Sequence, residues 1–375
     1  MTTAVLALLA VGLACSLPLT AILVRVGARL GALDSAGASG HVKALRPVPN
    51  IGGVAIAAAL WIPLSLGLAA EWLGLAPRAA SLVPQLQPLL PRLAESAPFG
   101  AAFLGGLLVL HVLGLVDDRR GLGPLPKLLV QAAVALVLAV GFDVRLLHLL
   151  DAWGPAGHAA SVLLTVLWIV AVVNAMNFMD NMDGLAGGVG CIAALLLMTA
   201  TILVKQWFIA GTLALLAGGL LGFLAFNAPL RRPARIFMGD GGSLVVGWVL
   251  AVMTVRTTFT APSEDGYALG TAWYGVLMPL VILAVPLYDM VAVSAIRIRQ
   301  GRSPFVGDQQ HLSHRLVERG LSRRGAVMVI WALAFITGVG GVSLGTLAPW
   351  QAALVGVQTL AVLLVLGLLE GRMPR

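Results

Sequence analysis

Charged residues are scarce in this 375-residue chain, where Asp, Glu, Lys and Arg make up 11% of the residues and hydrophobic types make up 59%. An average soluble domain has about 25% charged residues, so less than half of the usual solvating charge is present. This composition excludes an ordinary soluble enzyme and a disordered protein. Cysteine is also rare: the two residues, Cys15 and Cys191, lie in apolar runs, which excludes a disulfide scaffold.

Long apolar stretches are abundant instead, and the mean hydropathy is +0.97. Eleven of them are long enough to be membrane helices. They lie at roughly 3–24, 51–73, 99–116, 125–142, 158–177, 184–204, 206–227, 242–260, 268–293, 325–347 and 349–369. The sequence therefore predicts an all-α polytopic membrane protein with about 11 transmembrane helices. We expect a single domain over residues 1–375, with a proline-rich outer loop and a short interfacial helix at 74–98.

The distribution of Lys and Arg predicts how the chain is oriented in the membrane. With the N-terminus outside, 19 of the 24 basic residues fall in cytoplasmic segments and the other five fall outside. Arg25 and Arg29 follow the first span, and no basic residue precedes it, which favours a retained helix over a cleaved signal peptide. The C-terminus is then cytoplasmic. This topology accounts for the net charge of +8 without a nucleic-acid partner.

Carboxylates collect on the face that is predicted to be cytoplasmic. That face follows from the positions of Lys and Arg alone, so the clustering of carboxylates there is an independent observation. Asp117 and Asp118 stand side by side where the third span ends. Two adjacent carboxylates repel each other unless a cation stabilises both charges, and Lys127 follows nearby. The pair predicts a metal or phosphate site. A solvated helix end, balanced by the two arginines that follow, is the alternative.

A stripe of amides and carboxylates ends the fifth span. Asn174, Asn177 and Asp180 are spaced by three residues and therefore share one helix face, and Asp183 follows them. Such a stripe suits a hydrogen-bonding nucleotide site or oxygen ligands for Mg²⁺. Polar contacts between packed helices are the structural alternative.

A glycine-rich turn precedes the eighth span, in the run from Phe237 through Asp240 to Ser243. Glycines allow backbone N–H groups to point at an anion, and the start of a helix adds a favourable dipole. Asp240 would then bind a divalent cation that bridges to the anion. Simple N-capping by Asp240 or Ser243 is the alternative.

The last predicted cytoplasmic loop combines histidines with arginines. His311 and His314 stand three residues apart, and Arg299, Arg302 and Arg315 flank them. These side chains suit phosphate oxygens or a metal, but zinc is disfavoured because neither a Cys nor a third His accompanies them. A solvated positive-inside loop is the alternative.

Taken in order, these motifs resemble the polyprenyl-phosphate N-acetylhexosamine-1-phosphate transferases, the MraY/WecA family. The resemblance runs from about Asp34 to Gly320. Its motifs here are Arg46-Pro-Val-Pro49-Asn-Ile-Gly52-Gly53, the Asp117-Asp118 pair with Lys127, the stripe that ends Asp183-Gly184-Leu, Ile236-Phe237-Met-Gly239-Asp240-Gly-Gly-Ser243, and His311-Leu-Ser-His314-Arg315-Leu. The eleven spans and the run Gly222-Phe223-Leu-Ala-Phe226-Asn227 look closer to the WecA/TagO branch. That branch usually has His-x-His-His, so Ser313 replaces its middle histidine.

The resemblance implies transfer of a sugar-1-phosphate, with GlcNAc-1-phosphate expected, from a UDP-amino-sugar to undecaprenyl phosphate. The reaction would take place at the cytoplasmic face of the bacterial inner membrane and would give lipid-diphosphate-sugar and UMP. It would initiate synthesis of a cell-envelope polysaccharide such as lipopolysaccharide or teichoic acid. The implied cofactor is Mg²⁺, with Mn²⁺ as the alternative. The lipid bilayer is the further partner, and a homodimer is left open.

The resemblance also implies roles for individual residues. The implied catalytic residues are Asp117, Asp118, Asp240, His311 and His314, and the three aspartates among them are the implied metal ligands. The implied substrate-binding residues are Lys43, Lys127, Asn174, Asn177, Asp180, Asp183, Phe237, Arg299, Arg302 and Arg315. Within that set, Asp183 and Asn177 would contact uridine and Phe237 would stack on uracil. His311, His314 and Arg315 would hold the diphosphate or the sugar.

Two other functions compete with this interpretation. A phospho-MurNAc-pentapeptide transferase of the MraY type would carry a run of consecutive histidines, which this chain lacks. A secondary transporter or lipid flippase would place ionisable groups near the bilayer midplane, on broken helices of inverted repeats. Here the carboxylates collect at one predicted surface, and no repeat is evident.

Overall fold

The computed structural model describes residues 1–27, 29, 48–82, 87, 89–228, 233–259, 277–304, 310–344 and 347–371. Regular structure in these residues is helical. The α-helices are α1 (Thr2–Val26), α2 (Gly53–Trp72), α3 (Ala76–Leu82), α4 (Leu90–Arg120), α5 (Pro124–Gly141), α6 (Gly154–Met179), α7 (Leu185–Leu203), α8 (Trp207–Asn227), α9 (Asp240–Phe259), α10 (Met278–Ile282), α11 (Ala284–Arg299), α12 (Leu312–Glu318), α13 (Arg323–Val342) and α14 (Pro349–Gly371). A short 3₁₀ helix, His148–Trp153, precedes α6.

Nine helices in the described part of the chain are long and apolar enough to cross a membrane. They confirm an all-α polytopic membrane protein. The predicted span 242–260 coincides with α9, and α10 and α11 cover the described part of the predicted span 268–293. The total of eleven spans and the outer N-terminus stay predictions.

The predicted outer loop at 74–98 is shorter in the structure than the sequence indicated. The short helix α3 lies within it, as expected, but α4 already begins at Leu90, nine residues before the predicted span. Pro91 lies in the first turn of α4, where a missing N–H leaves no helical hydrogen bond unmade. Polar and proline residues at 91–98 lowered the hydropathy there and concealed the start of the helix.

The centre of the bundle is formed by α7, α8 and α9. An 18-residue stretch of α7 and one of α8 are each 78% buried, whereas the corresponding stretch of α14 is 17% buried. In α9, Trp248 is fully buried and its Nε1–H donates to the backbone carbonyl of Phe103 on α4 at 3.2 Å. Residues 241–255 of α9 are all buried, so neighbouring helices enclose this part of the helix on every side.

Glycines allow α2 and α4 to approach the first turn of α9 very closely. A Cβ atom added to Gly53 of α2 would overlap the backbone of Gly242, and one added to Gly114 of α4 would overlap the backbone of Gly241. The Nδ1–H of His111, one turn before Gly114, donates to the carbonyl of Gly241 at 2.8 Å. These backbone contacts fix the position of Asp240, the first residue of α9.

A buried arginine connects the C-terminal end of α5 to α6. Arg145 donates from Nε to Asp143 at 2.5 Å and from Nη2 to Asp151 at 2.9 Å, and its Nη1 also reaches Ser161 at 3.1 Å. The hydrogen bond to Asp151, followed by that to Asp143, raises the pKa of Arg145 above its usual range. The guanidinium group therefore stays charged and links the α5–α6 connection to α6.

We predict that Gly114→Ala destabilises the protein by about 1–3 kcal/mol, the usual cost of forcing extra atoms into a packed contact. The measurement is thermal unfolding of the purified protein in detergent. Gly105→Ala is the matched control, because a Cβ there has no heavy atom within 4 Å and lies on the same helix. Equal unfolding midpoints for the two variants would contradict the close approach of α4 to α9.

Candidate functional site

Four helices bring their polar residues together at one point, which we call the carboxylate cluster: Asp117, Asp118, Lys127, Asn177 and Asp240. The Lys127 Nζ atom lies 2.7 Å from Oδ2 of Asp117 and 3.1 Å from Oδ2 of Asp240. The Nδ2 group of Asn177 donates to Oδ1 of Asp240 at 2.9 Å. Residues far apart in the chain thus share one charged site, with Lys127 as the cation between two carboxylates.

The connection between α4 and α5 explains why Lys127 reaches back to Asp117. Gly121 ends α4 in the left-handed conformation, with φ of 61°, which glycine adopts without strain. Pro124 begins α5 only three residues later, and its fixed φ is suited to the first turn of a helix. Lys127 therefore lies one turn into α5, opposite the end of α4.

The neighbouring carboxylate, Asp118, points to a different set of partners. Its Oδ1 accepts hydrogen bonds from Nδ2 of Asn50 at 3.0 Å and from the backbone N–H of Asp240 at 3.1 Å. The first N–H groups of a helix have no partner within that helix, and a carboxylate stabilises them and the positive end of the helix dipole. The two adjacent aspartates therefore separate their charges: Asp117 pairs with Lys127, and Asp118 caps α9.

Two of the predicted motifs pair through their backbones beside this cap. Phe237 donates its N–H to the carbonyl of Pro49 at 2.8 Å, and Gly52 and Gly53 donate to Phe237 and Met238 at 2.9 and 3.0 Å. Gly239 follows with φ of 70°, a left-handed conformation suited to glycine. These hydrogen bonds hold the turn before α9 against the start of α2. Phe237 lies in this turn, three residues before Asp240 in the sequence.

The end of the amide and carboxylate stripe holds the same turn from the other side. Oδ2 of Asp183 accepts the backbone N–H of Ala234 at 3.1 Å. Asn227 bridges the two segments: its Oδ1 accepts from the N–H of Gly184 at 2.8 Å, and its Nδ2 donates to the carbonyl of Ile236 at 2.9 Å. Asp180 caps the C-terminal end of α6, where its N–H donates to the carbonyl of Asn177.

A cleft of about 160 Å³ opens beside the cluster, between α5, α6 and α11. Asn174 lies at its wall and donates to Oε1 of the buried Gln131 at 2.6 Å. Except for Ser294, the other lining residues are apolar: Leu128, Val170, Ala171, Phe178, Met290 and Pro304. The cleft is therefore mainly apolar, with Asn174 and Ser294 as its polar lining residues.

The start of α12 contacts the end of α6, the helix that also supplies Asn177. His311 lies edge-on to the ring of Phe178, with centroids 5.5 Å apart, and Oγ of Ser313 donates to Oδ1 of Asn181 at 2.5 Å. Burial lowers the pKa of His314 below its usual range. His314 is therefore neutral at neutral pH.

The predicted arginines of this region differ in their surroundings. Arg315 is buried and donates to the carbonyl of Gln310. Arg299 and Arg302 are exposed, and no described hydrogen bond or ion pair joins either side chain to the carboxylate cluster. Lys43 lies outside the described residues.

The donor chemistry of the cluster fits a hard divalent cation. Carboxylate oxygens are the ligands that Mg²⁺ prefers, and Oδ1 of Asp117 is buried without a hydrogen-bond partner. In the described residues, no three Asp, Glu, His or Cys side chains already form a metal-binding group. Lys127 lies between Asp117 and Asp240, so a cation bound by both would require Lys127 to move.

The structure adds residues that had no predicted role in substrate or metal binding. Asn50 and Ser243 lie inside motifs quoted above, and Asn227 ends another, so the motifs already indicated their positions. His111 and Asp289 stand in apolar spans, where a buried polar residue is costly and usually has a role. The added residues that contact the site are Asn50, His111, Asn227, Ser243, Asp289 and Arg297.

Comparison with known proteins places residues 101–258 in a match to glycosyl transferase family 4. The decaprenyl-phosphate N-acetylglucosaminephosphotransferase of Mycolicibacterium smegmatis is 32% identical over 286 residues, 71% of this chain and 68% of that protein. The probable undecaprenyl-phosphate N-acetylglucosaminyl 1-phosphate transferase of Bacillus subtilis is 27% identical over 65% of this chain and 66% of its own length. The undecaprenyl-phosphate alpha-N-acetylglucosaminyl 1-phosphate transferase of Escherichia coli O157:H7 is 31% identical, with 65% of each chain covered. The chain spans about two thirds of the length of these relatives.

We predict that Asn227→Ala destabilises the protein by about 1–3 kcal/mol, because it leaves the N–H of Gly184 and the carbonyl of Ile236 without partners. Thermal unfolding in detergent measures the loss. Thr199→Ala is the control: among the described residues, this exposed threonine forms its side-chain hydrogen bond within α7, to the carbonyl of Leu195. An Asn227→Ala midpoint as high as that of the control would show that Asn227 does not hold the turn before α9.

Proposed function

This chain belongs to glycosyl transferase family 4, among the polyprenyl-phosphate hexosamine-1-phosphate transferases, and from that membership we propose that it transfers GlcNAc-1-phosphate from UDP-GlcNAc to undecaprenyl phosphate. The products are the lipid-diphosphate-sugar and UMP. The observation that carries the proposal is the carboxylate cluster, in which Lys127 bridges Asp117 and Asp240. A cation held between paired carboxylates, beside an apolar cleft, matches a reaction that transfers a sugar-1-phosphate from a nucleotide diphosphate sugar to a lipid phosphate.

The chemistry requires positioning and charge neutralisation more than a covalent intermediate. An oxygen of the lipid phosphate attacks the β-phosphorus of the UDP-sugar, the bond from that phosphorus to the bridging oxygen breaks, and UMP leaves with the electron pair. Phosphoryl transfer of this kind depends on groups that stabilise the developing charge. The lipid phosphate is already an anion at neutral pH, so Asp117 and Asp118 need not act as bases.

The cluster residues then have separate roles. Lys127 contacts the phosphates, and its movement towards them leaves Asp117 and Asp240 available to a divalent cation. Mg²⁺ is proposed, with Mn²⁺ as the alternative, and when bound it would neutralise charge on the diphosphate. Asp118 keeps the first turn of α9 in place, and Asn177 orients Asp240.

The nucleotide and the sugar are assigned to the two flanking segments. Asp183 and Phe237 are proposed to contact uridine, and the hydrogen bond from Ala234 to Asp183 supports this, because it brings the two segments together. His311, His314 and Arg315 are proposed to hold the diphosphate or the sugar. Asp180, Arg299, Arg302 and Lys43 remain proposed substrate contacts.

The membrane supplies the acceptor. We assign the prenyl phosphate to the cleft, with its apolar chain against Leu128 and Met290 and its phosphate near Asn174. The excess of Lys and Arg on the side of the carboxylate cluster supports a cytoplasmic site in a bacterial inner membrane. UDP-GlcNAc would then enter from the cytoplasm.

The activity is tested with purified protein, undecaprenyl phosphate, Mg²⁺ and a panel of UDP-sugars, with UMP release as the readout. We expect UDP-GlcNAc to be the preferred donor, because the chain lacks the consecutive histidines of the MraY type. A preference for UDP-MurNAc-pentapeptide would overturn the branch assignment. UMP release that does not depend on the lipid phosphate would contradict the transfer reaction itself.

We predict that Asp240→Asn lowers kcat by more than about tenfold, equivalent to about 1.4 kcal/mol of transition-state stabilisation. The substitution removes the charge that Lys127 and Asn177 both contact and weakens an oxygen ligand for a cation. Glu95→Gln is the control, since it makes the same change at an exposed position of α4, and it should keep wild-type turnover. If Asp240→Asn keeps more than a tenth of the wild-type rate, the role proposed for Asp240 is wrong.

A further inference from the structure

Asp289 is a buried carboxylate in α11 to which neither the sequence motifs nor the proposed reaction assigns a role. It is 1% exposed and lies in a helix that is otherwise mainly apolar up to its last turn. A buried carboxylate is costly unless it is paired and hydrogen-bonded. Its partners therefore indicate why it is placed there.

In the described part of the chain, Asp289 finds its partners at the start of α12. Its Oδ2 lies 2.9 Å from Nδ1 of His311, and its Oδ1 accepts the backbone N–H of Leu312 at 2.6 Å. The Nη2 atom of Arg315 lies 3.8 Å from Oδ1. One carboxylate thus joins α11 to two of the residues proposed to hold the diphosphate or the sugar.

The hydrogen-bond chemistry determines which nitrogen of His311 carries a proton. An ionised carboxylate only accepts hydrogen bonds, so Nδ1 of His311 must be the donor. In the neutral ring, Nε2 is then an acceptor, and in the charged ring it is the remaining donor. In either state, Nε2 is the ring nitrogen left for a substrate.

The position of His311 connects this pair to the carboxylate cluster. Its ring packs nearly perpendicular to the ring of Phe178, which directly follows Asn177, and Asn177 donates to Asp240. Ser313 binds Asn181, so α12 is tied to the end of α6 at a second point. His311 is therefore held on the same helix end that supplies Asn177.

We propose that Asp289 is a positioning residue for the transfer reaction: it fixes the ring orientation and the Nδ1–H tautomer of His311, so that Nε2 meets the diphosphate or sugar of the donor. This inference rests on the proposed function. The same carboxylate stabilises the imidazolium form when Nε2 donates to a phosphate oxygen. It acts through His311 and touches no substrate itself.

Asp289→Asn separates positioning from packing. Asparagine has nearly the same volume, and its Oδ1 can still accept the N–H of Leu312. Its Nδ2 group, however, faces Nδ1 of His311, so two N–H donors oppose each other unless the ring turns or changes tautomer. Packing is thus retained while either the orientation or the Nδ1–H tautomer of His311 is lost.

The first test is a double-mutant cycle in the UMP-release assay with Asp289→Asn, His311→Ala and the combined variant. We expect Asp289→Asn to lower kcat about tenfold, and the combined variant to be no slower than His311→Ala alone. Asp143→Asn, at the far end of α5, is the control and should match the wild type. Wild-type kcat for Asp289→Asn, or losses that multiply in the combined variant, would overturn the proposal, because Asp289 would then not act through His311.

The second test does not depend on turnover or on a folded variant at position 289. Solid-state NMR of the protein labelled with ¹⁵N-histidine resolves the tautomers of six histidines, and the signal lost in His311→Ala assigns His311. We expect a protonated Nδ1 bonded to a carboxylate. A His311 signal with a bare Nδ1 would overturn the proposal, whereas failure of UMP release with this signal intact would count against the proposed function alone.

Discussion

The ammonium group of Lys127 lies between two carboxylates from different helices, 2.7 Å from Asp117 and 3.1 Å from Asp240. Two like charges this close in a partly buried site repel strongly, and a cation between them reverses the sign of the interaction. The meeting of α4, α5 and α9 at this point therefore depends on one lysine. A phosphate that attracts Lys127 would at the same time leave the two aspartates in need of another cation, so the binding of an anion and of a divalent cation is coupled in this site.

Glycine at the contacts between helices is the second feature on which the structure depends. Gly53 and Gly114 allow α2 and α4 to touch the backbone of Gly241 and Gly242, and this closeness brings the first N–H groups of α9 to Asp118. Small residues serve this purpose in membrane bundles, where packing rather than the hydrophobic effect drives helix association. The glycine contacts thus fix the position of α9, and the carboxylate cluster depends on that position because Asp240 is the first residue of α9.

The sequence alone predicted the helical class, most of the helix positions and the set of residues that meet in the cluster. Apolar runs mark membrane helices directly, and costly carboxylates at one end of them indicate a site. The separate tasks of Asp117 and Asp118 could not be predicted, because adjacent residues gave no sign that one would face Lys127 and the other the N–H groups of α9. The start of α4 was missed, since residues 91–98 are too polar to be read as membrane helix.

The role of Asp289 also could not be predicted from the sequence. It lies 22 residues before His311 in the chain, and only the packing of α11 against α12 brings the two together. Asn227 likewise ends an apolar helix, and its role follows from its hydrogen bonds to Gly184 and Ile236, which lie in two different segments. Hydrophobic pattern and motif order identify which elements contain chemistry, whereas hydrogen-bond partners between elements require the fold.

The most direct test of the account is an experimental structure of the protein with UDP-GlcNAc bound. The account predicts that the diphosphate lies within hydrogen-bond distance of the Lys127 ammonium group, between the carboxylate cluster and His311. A nucleotide bound elsewhere, for example beside Arg145 at the other end of α5, would contradict it.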